Sequence, residues 1–338
     1  MNKQESFALL VVLAIVVGLP LTVFGYQHLY LPTRQSSYQL IDLTAQVPEV
    51  GGWRPEVVTV RVGEPVRLRV TSRDVIHGFA IGKLGIEAGM IRPGETKVVE
   101  FIPERAGRFT FYCNVWCSPY HYRMRGVLEV IDPTAPGKGL EEEKEPGYPA
   151  GLEIDAPHEA EFYPETKPSA SQGKGIFAAR CATCHDESTL AEPTFTRDQS
   201  PSDIFKQIGP QTTPLSEHGS NDTLSEEERW DTVAYLWSLS ASPESLTLGQ
   251  GLYQKNCTGC HGESGLGDGP GSQYTSEPPA KFSQAETMAG GTGQIYHAKI
   301  RRGGMGTGMP YWGTIFSQEE TWSLVDHLWT FLFSYDSP

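Results

Sequence analysis

Hydrophobic residues follow three patterns along this chain, and the first is a continuous apolar run near the beginning. Residues 7–24, FALLVVLAIVVGLPLTVF, contain no charged residue, and this length is close to the shortest that spans a bilayer as a helix. A cleaved signal peptide is the alternative. However, the run is longer than a usual apolar signal region, and no A-x-A-like cleavage site follows it. The pattern predicts an uncleaved, single-span transmembrane helix within residues 1–30.

The second pattern consists of short runs rich in β-branched residues, separated by Gly-Glu-Pro and Pro-Gly-Glu turns. These runs are VVTVRV at 57–62, VRLRV at 66–70, KVVEF at 97–101, RFTFY at 108–112 and GVLEV at 126–130. Several short strands joined by turns are typical of a small β-sandwich or barrel. We therefore predict an all-β domain over residues 40–133.

Residues 134–170 have neither pattern. They are rich in Pro and Gly and contain the acidic segment Glu-Glu-Glu-Lys-Glu at 141–145. This composition predicts an extended, mobile linker, and charge blocks of this kind are usually solvated rather than part of a site.

The third pattern is a repeat of one helical unit. In each copy a Gly-x-Gly segment, beginning at Gly173 or Gly249, stands eight residues before a Cys-x-x-Cys-His motif. Each motif is followed by a capping-box helix start, at Ser225 and at Ser317. Tryptophans recur in step after these caps, Trp230 with Trp322 and Trp237 with Trp329. The two final helices are therefore expected to bury matching faces.

Cys-x-x-Cys-His is the attachment pattern of c-type haem. One copy could be a redox or zinc motif by chance, but two copies in register within a repeat favour haem. The thiols would form thioethers and each histidine would be the proximal iron ligand: Cys181, Cys184 and His185 in the first copy, and Cys257, Cys260 and His261 in the second. Helices before the haem motif and after the distal ligand resemble the class I cytochrome c fold. This predicts two all-α cytochrome c domains, at 171–242 and 243–338.

The two copies differ in the residue available as the distal haem ligand. In the second, a Gly-Met-Pro-Tyr-Trp segment places Met309 eight residues before the cap Ser317, with Met305 as a poorer alternative. The first copy contains no methionine, and we predict His218, seven residues before its cap; a vacant position or another donor is the alternative. Met/His ligation raises a haem potential, so electrons are expected to flow from the first haem to the second.

The densest group of metal-binding residue types is Cys-Asn-Val-Trp-Cys-Ser-Pro-Tyr-His-Tyr-Arg-Met, which begins at Cys113. Cys113, Cys117, His121 and Met124, together with His77 upstream, are the soft ligands that copper prefers. A structural disulfide or a zinc site is the alternative, although a thioether is a poor zinc ligand. The pattern predicts a copper centre on a β-scaffold, with one ligand from an early strand and the rest from a late loop.

Residues 50–131 resemble the cupredoxin domain of subunit II of haem-copper oxygen reductases. The Asp-Val-Ile-His-Gly-Phe segment and the Cys-x3-Cys-x3-His-x2-Met loop carry the resemblance. It implies a binuclear CuA centre, in which both thiolates bridge two copper ions. By position the ligands would be His77, Cys113, Cys117, His121, Met124 and the backbone carbonyl of Val115.

Two positions qualify this resemblance. Many family members have Glu at the position of Val115, where the carboxylate helps to bind a second ion against subunit I, so that ion is not implied here. Trp53 stands where the family has an aromatic residue near the point of electron transfer from the donor; a buried packing tryptophan is the alternative. The single predicted span is similar to that of oxidases with a minimal subunit II.

The resemblance implies an electron-transfer subunit of a cytochrome c oxidase. Electrons would come from a soluble cytochrome c or a quinol-oxidising complex and pass over two c-type haems to CuA. They would then reach the haem-copper subunit I, where oxygen is reduced. The chain would sit in the bacterial cytoplasmic membrane with its copper and haem domains on the periplasmic side, since c-type haem is attached outside the cytoplasm.

Two other functions fit the same motifs: the small subunit of a CuA-containing nitric oxide reductase, and a free-standing periplasmic redox adaptor. Nitrous oxide reductase shares the copper loop but needs a large propeller domain, for which 338 residues leave no room. The net charge of −14 argues against nucleic acid and favours a basic protein partner, although acidity could serve solubility alone. The remaining histidines are expected to be structural or exposed: His28, His158, His297 and His327.

Overall fold

The computed structural model describes residues 38–140, 147–148, 152–209, 224–304 and 306–335, together with 14–26 and residues 2, 4, 7 and 12. Near the start, Ala14–Gly18 is a π-helical turn that continues into helix α1, Leu19–Gly25. Among the described residues, no helix is both long enough and apolar enough to cross a membrane. The predicted transmembrane run, 7–24, lies partly outside them.

Residues 39–131 form a cupredoxin-like β-sandwich, as the strand pattern predicts. The described strands are β1 (Gln39–Ala45), β2 (Trp53–Arg54), β3 (Val57–Arg61), β4 (Val66–Ser72), β5 (His77–Ile81), β6 (Ile86–Ile91), β7 (Thr96–Phe101), β8 (Gly107–Tyr112) and β9 (Arg125–Ile131). One sheet has the order β2-β1-β4-β7 and the other β3-β9-β8-β5-β6. β1 and β4 are parallel, as are β3 and β9, and the other described pairs are antiparallel.

The alternation of apolar and charged residues in β4 explains its place in this sandwich. Val66, Leu68 and Val70 are buried in the core between the sheets. Arg67 and Arg69 lie on the opposite face and form ion pairs with residues of β7 and β1. Because side chains alternate with a period of two, a slip by one residue would bury both arginines, and this fixes the register.

The described chain after residue 169 is helical. Its helices are α2 (Ala170–Arg180), α3 (Glu187–Leu190), α4 (Pro193–Asp198), α5 (Pro201–Gln207), α6 (Glu226–Ser240), α7 (Pro243–Asn256), α8 (Thr258–His261), α9 (Ala285–Ala289), α10 (Gly293–Arg302) and α11 (Gln318–Leu332). Both predicted capping boxes are confirmed: Ser225 caps α6 with Glu228, and Ser317 caps α11 with Glu320.

The helical repeat has the same helix crossing in both copies. A Cβ atom added at Gly173 of α2 would overlap the carbonyl oxygen of Asp231 in α6. In the same way, a Cβ atom at Gly249 of α7 would overlap the carbonyl oxygen of Ser323 in α11. Both carbonyls stand six residues after their capping serines. Glycine therefore lets the backbones of the first and last helices of each copy approach closely.

The two helical copies pack against each other through their last helices. The Trp237 and Trp329 rings lie 5.9 Å apart. Backbone hydrogen bonds join the ends of this pair, because Ala170 N donates to Ser334 O at 2.9 Å and Ser334 N donates to Pro168 O at 2.8 Å. Of the two tryptophan pairs that recur in step, Trp237 and Trp329 meet across the interface, whereas Trp230 stacks on Phe205 and Trp322 on His297.

Residues 152–169 differ from the predicted mobile linker because they are packed against the helices. The Phe162 ring lies 5.5 Å from that of Phe205 in α5, and its backbone N–H donates to Ser202. Glu161 forms an ion pair with Lys206 at 2.7 Å. The acidic segment 141–145 lies outside the described residues.

Candidate metal centre and haem pocket

The fold brings the predicted copper ligands together at one end of the sandwich. His77 is the first residue of β5, and the loop 113–124 joins β8 to β9. β8 lies beside β5 in the second sheet, so the loop folds back over His77. The ligand atoms of His77, Cys113 and Cys117 lie within 4.8 Å of one another.

Cys113 is the buried half of this cluster. Its Sγ lies 3.9 Å from His77 Nδ1 and 3.1 Å from the carbonyl oxygen of Val115. The backbone N–H of Gly78 donates to the same sulfur at 3.3 Å. The carbonyl of Val115 is thus beside the sulfur whatever side chain position 115 carries.

Cys117 forms the other half with the two remaining predicted ligands. Its Sγ lies 3.4 Å from His121 Nδ1 and 3.7 Å from Met124 Sδ. His121 belongs to a short 3₁₀ turn, and the Met124 side chain is buried. Both cysteine thiols are free in the structure. Two thiols, two imidazoles, a thioether and a carbonyl therefore converge, and this soft set suits copper better than zinc.

A hydrogen-bonded carboxylate fixes the orientation of His77. Its Nε2 lies 2.7 Å from Asp74 Oδ1, and Asp74 also accepts the backbone N–H groups of Val47 and Val75. Burial opposes charge on Asp74, but these hydrogen bonds outweigh it and lower the pKa of the carboxyl. The contact leaves Nδ1 turned toward Cys113, as a metal-binding imidazole requires.

The pKa values of the two thiols are shifted in opposite directions. Burial raises the pKa of Cys113, but hydrogen bonds with Cys117, His121 and His77 outweigh burial and hold the pKa well below its usual value. The hydrogen bond to Cys113, together with burial, raises the pKa of Cys117. The protein alone thus stabilises one thiolate, the form that binds metals.

Trp53 is a packing residue, which was one of the two expectations for it. Its side chain is buried between Phe79 and Phe111, at ring distances of 5.6 and 5.8 Å. The indole N–H donates to the backbone oxygen of Met124 at 3.2 Å. Trp53 therefore supports the copper loop from inside the core and is not exposed to an incoming donor.

The second Cys-x-x-Cys-His motif lies at a cavity of about 1150 Å³. Cys257, Cys260, His261 and Met309 all line it, with apolar residues that include Phe282. A cavity holding two thiols, an imidazole and a thioether among apolar side chains fits a covalently attached haem.

His261 is oriented for iron. Its Nδ1 hydrogen-bonds to the carbonyl oxygen of Ala280 at 3.0 Å, and its ring stacks on Phe282 at 4.5 Å. Burial lowers the pKa of His261, which favours the neutral imidazole. The bond at Nδ1 leaves Nε2 to bind a metal. Met305 lies outside the described residues.

The first motif adopts the same turn at the end of α2. Cys184 N and His185 N both donate to Cys181 O, at 3.0 and 2.9 Å, as Cys260 N and His261 N do to Cys257 O. Cys184 and His185 are exposed. The predicted distal ligand His218 lies outside the described residues, so the structure describes only the proximal side of this site.

The copper loop forms part of the wall of the second haem cavity. Asn114, Val115, Trp116 and His121 line it beside the haem motif. No periodic pattern in the sequence predicts this contact, and Trp116 is a site residue that the sequence analysis does not identify. Its only signal was its place between the two cysteines of the copper loop.

Ion pairs and aromatic contacts hold the second haem domain on the copper loop. Glu87 of β6 accepts from Asn114 Nδ2 at 2.9 Å and from Lys255 Nζ of α7 at 2.6 Å. Arg125, which follows Met124, donates to the backbone oxygen of Tyr311. Further contacts are Arg125 over the Trp312 ring at 5.3 Å, Tyr112 with Trp312 at 6.3 Å, and Gly82 with Ile315 O.

Three family models match successive parts of the chain. Residues 53–131 match cytochrome C oxidase subunit II, periplasmic domain. Residues 168–236 match cytochrome C oxidase, cbb3-type, subunit III, and residues 246–331 match cytochrome c. These matches confirm the resemblance to oxidase subunit II in the β-sandwich and to cytochromes c in both helical copies.

Known relatives resemble the β-sandwich region. Two cytochrome c oxidase subunit 2 proteins of Thermus thermophilus are 33% identical over 79 residues, which is 23% of this chain and 58% and 46% of theirs. The chain thus spans about half the length of these relatives. The periplasmic domain of subunit II of cytochrome oxidase (CoxB) of Bradyrhizobium japonicum is 23% identical. That match covers 28% of this chain and 85% of that domain, with a TM-score of 0.24.

Proposed function

We propose that this chain is the electron-transfer subunit II of a haem-copper cytochrome c oxidase. The observation that carries the proposal is the wall that the copper loop shares with the second haem cavity. Such an arrangement puts a copper site and a c-type haem side by side in one chain. The proposed domains are an anchor (1–30), the copper domain (40–133), a connecting segment (134–170) and two cytochrome c domains (171–242 and 243–338).

The copper ligands would be His77, Cys113, Cys117, His121 and Met124, with the carbonyl of Val115, around a binuclear CuA centre. Such a centre supplies one-electron transfer. The contribution of the protein is to hold the ligands in place: His77 is fixed by Asp74, and Met124 is buried with its backbone bonded to Trp53. A rigid ligand set rearranges little when an electron arrives, which favours fast transfer.

Each cytochrome c domain would hold one haem. Cys257, Cys260 and His261, with Met309 as distal ligand, form the second site. Cys181, Cys184 and His185, with His218 as the proposed distal ligand, form the first. Met/His ligation raises the potential of the second haem relative to a bis-histidine first haem. Electrons would therefore enter from a cytochrome c or quinol-oxidising complex at the first haem and leave from the second.

In this proposal the apolar run at 7–24 anchors the chain in the bacterial cytoplasmic membrane, with the other domains on the periplasmic side. The copper site would deliver electrons to a haem-copper subunit I that reduces oxygen. A second candidate function is the small subunit of a CuA-containing nitric oxide reductase, which valine rather than an acidic residue at position 115 favours.

Purification of the native complex distinguishes the two functions: a polytopic partner that consumes oxygen supports the oxidase, and one that consumes nitric oxide supports the reductase. A chain without such a partner would be a free-standing redox adaptor.

Replacement of a bridging thiol tests the copper assignment itself. Cys113→Ser should abolish the mixed-valence copper signal in electron paramagnetic resonance, because serine lacks the thiolate that would bridge the ions, while both haem spectra persist. Tyr122→Phe is the matched control, since it changes the same loop without altering a ligand. A mixed-valence signal that survives in Cys113→Ser would refute the CuA assignment.

A further inference from the structure

We infer that Trp116 is the side chain through which the second haem domain passes electrons to the copper site. This rests on the proposed function, because it assumes that both sites are loaded as described above. The step moves one electron and no atom: the reduced second haem loses the electron and the oxidised copper centre gains it. Trp116 neither binds metal nor changes its bonds.

Trp116 contacts the copper site through His121. The residue lies in the loop immediately before Cys117, and its ring centroid is 5.6 Å from that of His121, with an angle of 51° between the planes. His121 Nδ1 is in turn 3.4 Å from Cys117 Sγ. The indole is therefore in direct contact with the imidazole of a predicted copper ligand.

Trp116 also contacts the backbone of the haem motif. A Cβ atom at Gly259, which lies inside the Cys-Thr-Gly-Cys-His segment, would be 3.2 Å from Trp116 Cε3. A Cβ atom at Gly271 would overlap the far edge of the same ring. Gly271 N donates to Gly259 O at 2.6 Å. The two glycines thus form a flat backbone surface without side chains, on which the indole rests.

Trp116 also lines the second haem cavity together with His261 and Met309. One side chain therefore touches a copper ligand, the haem attachment segment and the haem space. The surrounding contacts of Glu87 with Lys255 and of Arg125 with Tyr311 hold this arrangement in place. They also cover this face of the copper loop, so a separate donor protein would have to deliver its electron to a haem rather than to this face.

The test uses the intact, loaded chain and three variants at two positions. Trp116→Leu keeps apolar volume but removes the ring, and Trp116→Phe keeps a smaller ring. Tyr120→Leu is the control, since it removes an exposed aromatic ring from the same loop but leaves the indole. Haem-to-copper electron transfer is followed by flash reduction. Copper resonance and haem spectra report loading, and relaxation enhancement of the copper signal by the haem reports docking.

We expect docking and both spectra to persist in all three variants. The transfer rate should fall on the order of tenfold or more in Trp116→Leu, because small losses of contact geometry cost rates of this size. Trp116→Phe should be intermediate, and Tyr120→Leu should match the unmodified chain. If Trp116→Leu separates the domains, Trp116→Phe decides: a docked variant slower than the unmodified chain supports the inference, and one with the full rate overturns it.

A docked, loaded Trp116→Leu variant with an unchanged rate would overturn the role of Trp116 but leave the proposed function in place. The proposed function itself fails on a different result, namely that the unmodified chain forms no copper signal or passes no electron between haem and copper. The two failures are therefore distinguishable in one set of measurements.

Discussion

Two glycines of α7 that lie only two residues apart should respond oppositely to the same substitution. Alanine is about 1 kcal/mol more favourable than glycine inside a helix. At Gly251 no described atom lies within 4 Å of an added Cβ, so Gly251→Ala should stabilise the second haem domain by about 0.5–1 kcal/mol.

At Gly249 the added Cβ would overlap Ser323 O and lie 2.6 Å from Ser323 C and 2.9 Å from His327 Cβ. The atoms in the way belong to the backbone of α11, so relief requires the two helices to separate. Overpacking of this kind costs about 1–3 kcal/mol, occasionally more. Because the obstacle is backbone, we take the upper end of that range, about 3 kcal/mol. Subtracting the gain of about 1 kcal/mol in helix propensity leaves a destabilisation of the domain by about 2 kcal/mol for Gly249→Ala.

The difference is measured by hydrogen exchange of the α7 and α11 amides in the intact, haem-loaded chain, where each helix reports its own local stability. The first haem domain provides an internal repeat of the experiment: Gly173→Ala should destabilise and Gly175→Ala should stabilise, since only Gly173 meets backbone. If both substitutions in a pair shift protection in the same direction, the helix-crossing explanation of the repeat is wrong.

Two further predictions concern the contact between the second haem domain and the copper loop, and the pH dependence of stability. Arg125→Ala should release the second haem domain from the copper loop at a cost of about 2 kcal/mol, since partly buried arginines are frequent hot spots; retained relaxation coupling between haem and copper would contradict this. Burial raises the pKa of Asp326 in α11 to about 6, above its unfolded value, so stability should decrease by up to about 3 kcal/mol as pH rises from about 4 to 7. Asp326→Asn should flatten this dependence in urea unfolding at pH 4.5 and 7.5, and an unaltered pH dependence would refute the assignment to Asp326.

Local signals in the sequence were sufficient for the elements and for the metal-binding residue types. The capping boxes at Ser225 and Ser317 form as predicted, and the β-branched runs form strands with bounds shifted by one or two residues. These features depend on neighbours a few positions away. The copper loop was also accessible to this reasoning, because four of the predicted ligand residues stand within twelve positions.

Contacts between distant segments were not predictable in this way. Trp116 on Gly259 and Gly82 on Ile315 join separate domains, and neither pair has a period or a spacing that marks it. The burial of Trp53 was likewise not predictable, because its position in the sequence does not distinguish a core tryptophan from an exposed one. The packed part of the linker is held by the contact of Phe162 with Phe205 in α5. This is a tertiary contact between distant residues, so the composition of the linker does not reveal it.

The backbone hydrogen bonds between Ser334 and the start of α2 have a consequence for the order of folding. They connect the beginning of the first haem domain to a segment near the end of the second haem domain, which is synthesised after both capped helices. Contacts of such high sequence separation form late, because the intervening loop must be closed first. During synthesis these bonds at the start of α2 can therefore form only after the second domain has been made, so the two domains are joined late in folding.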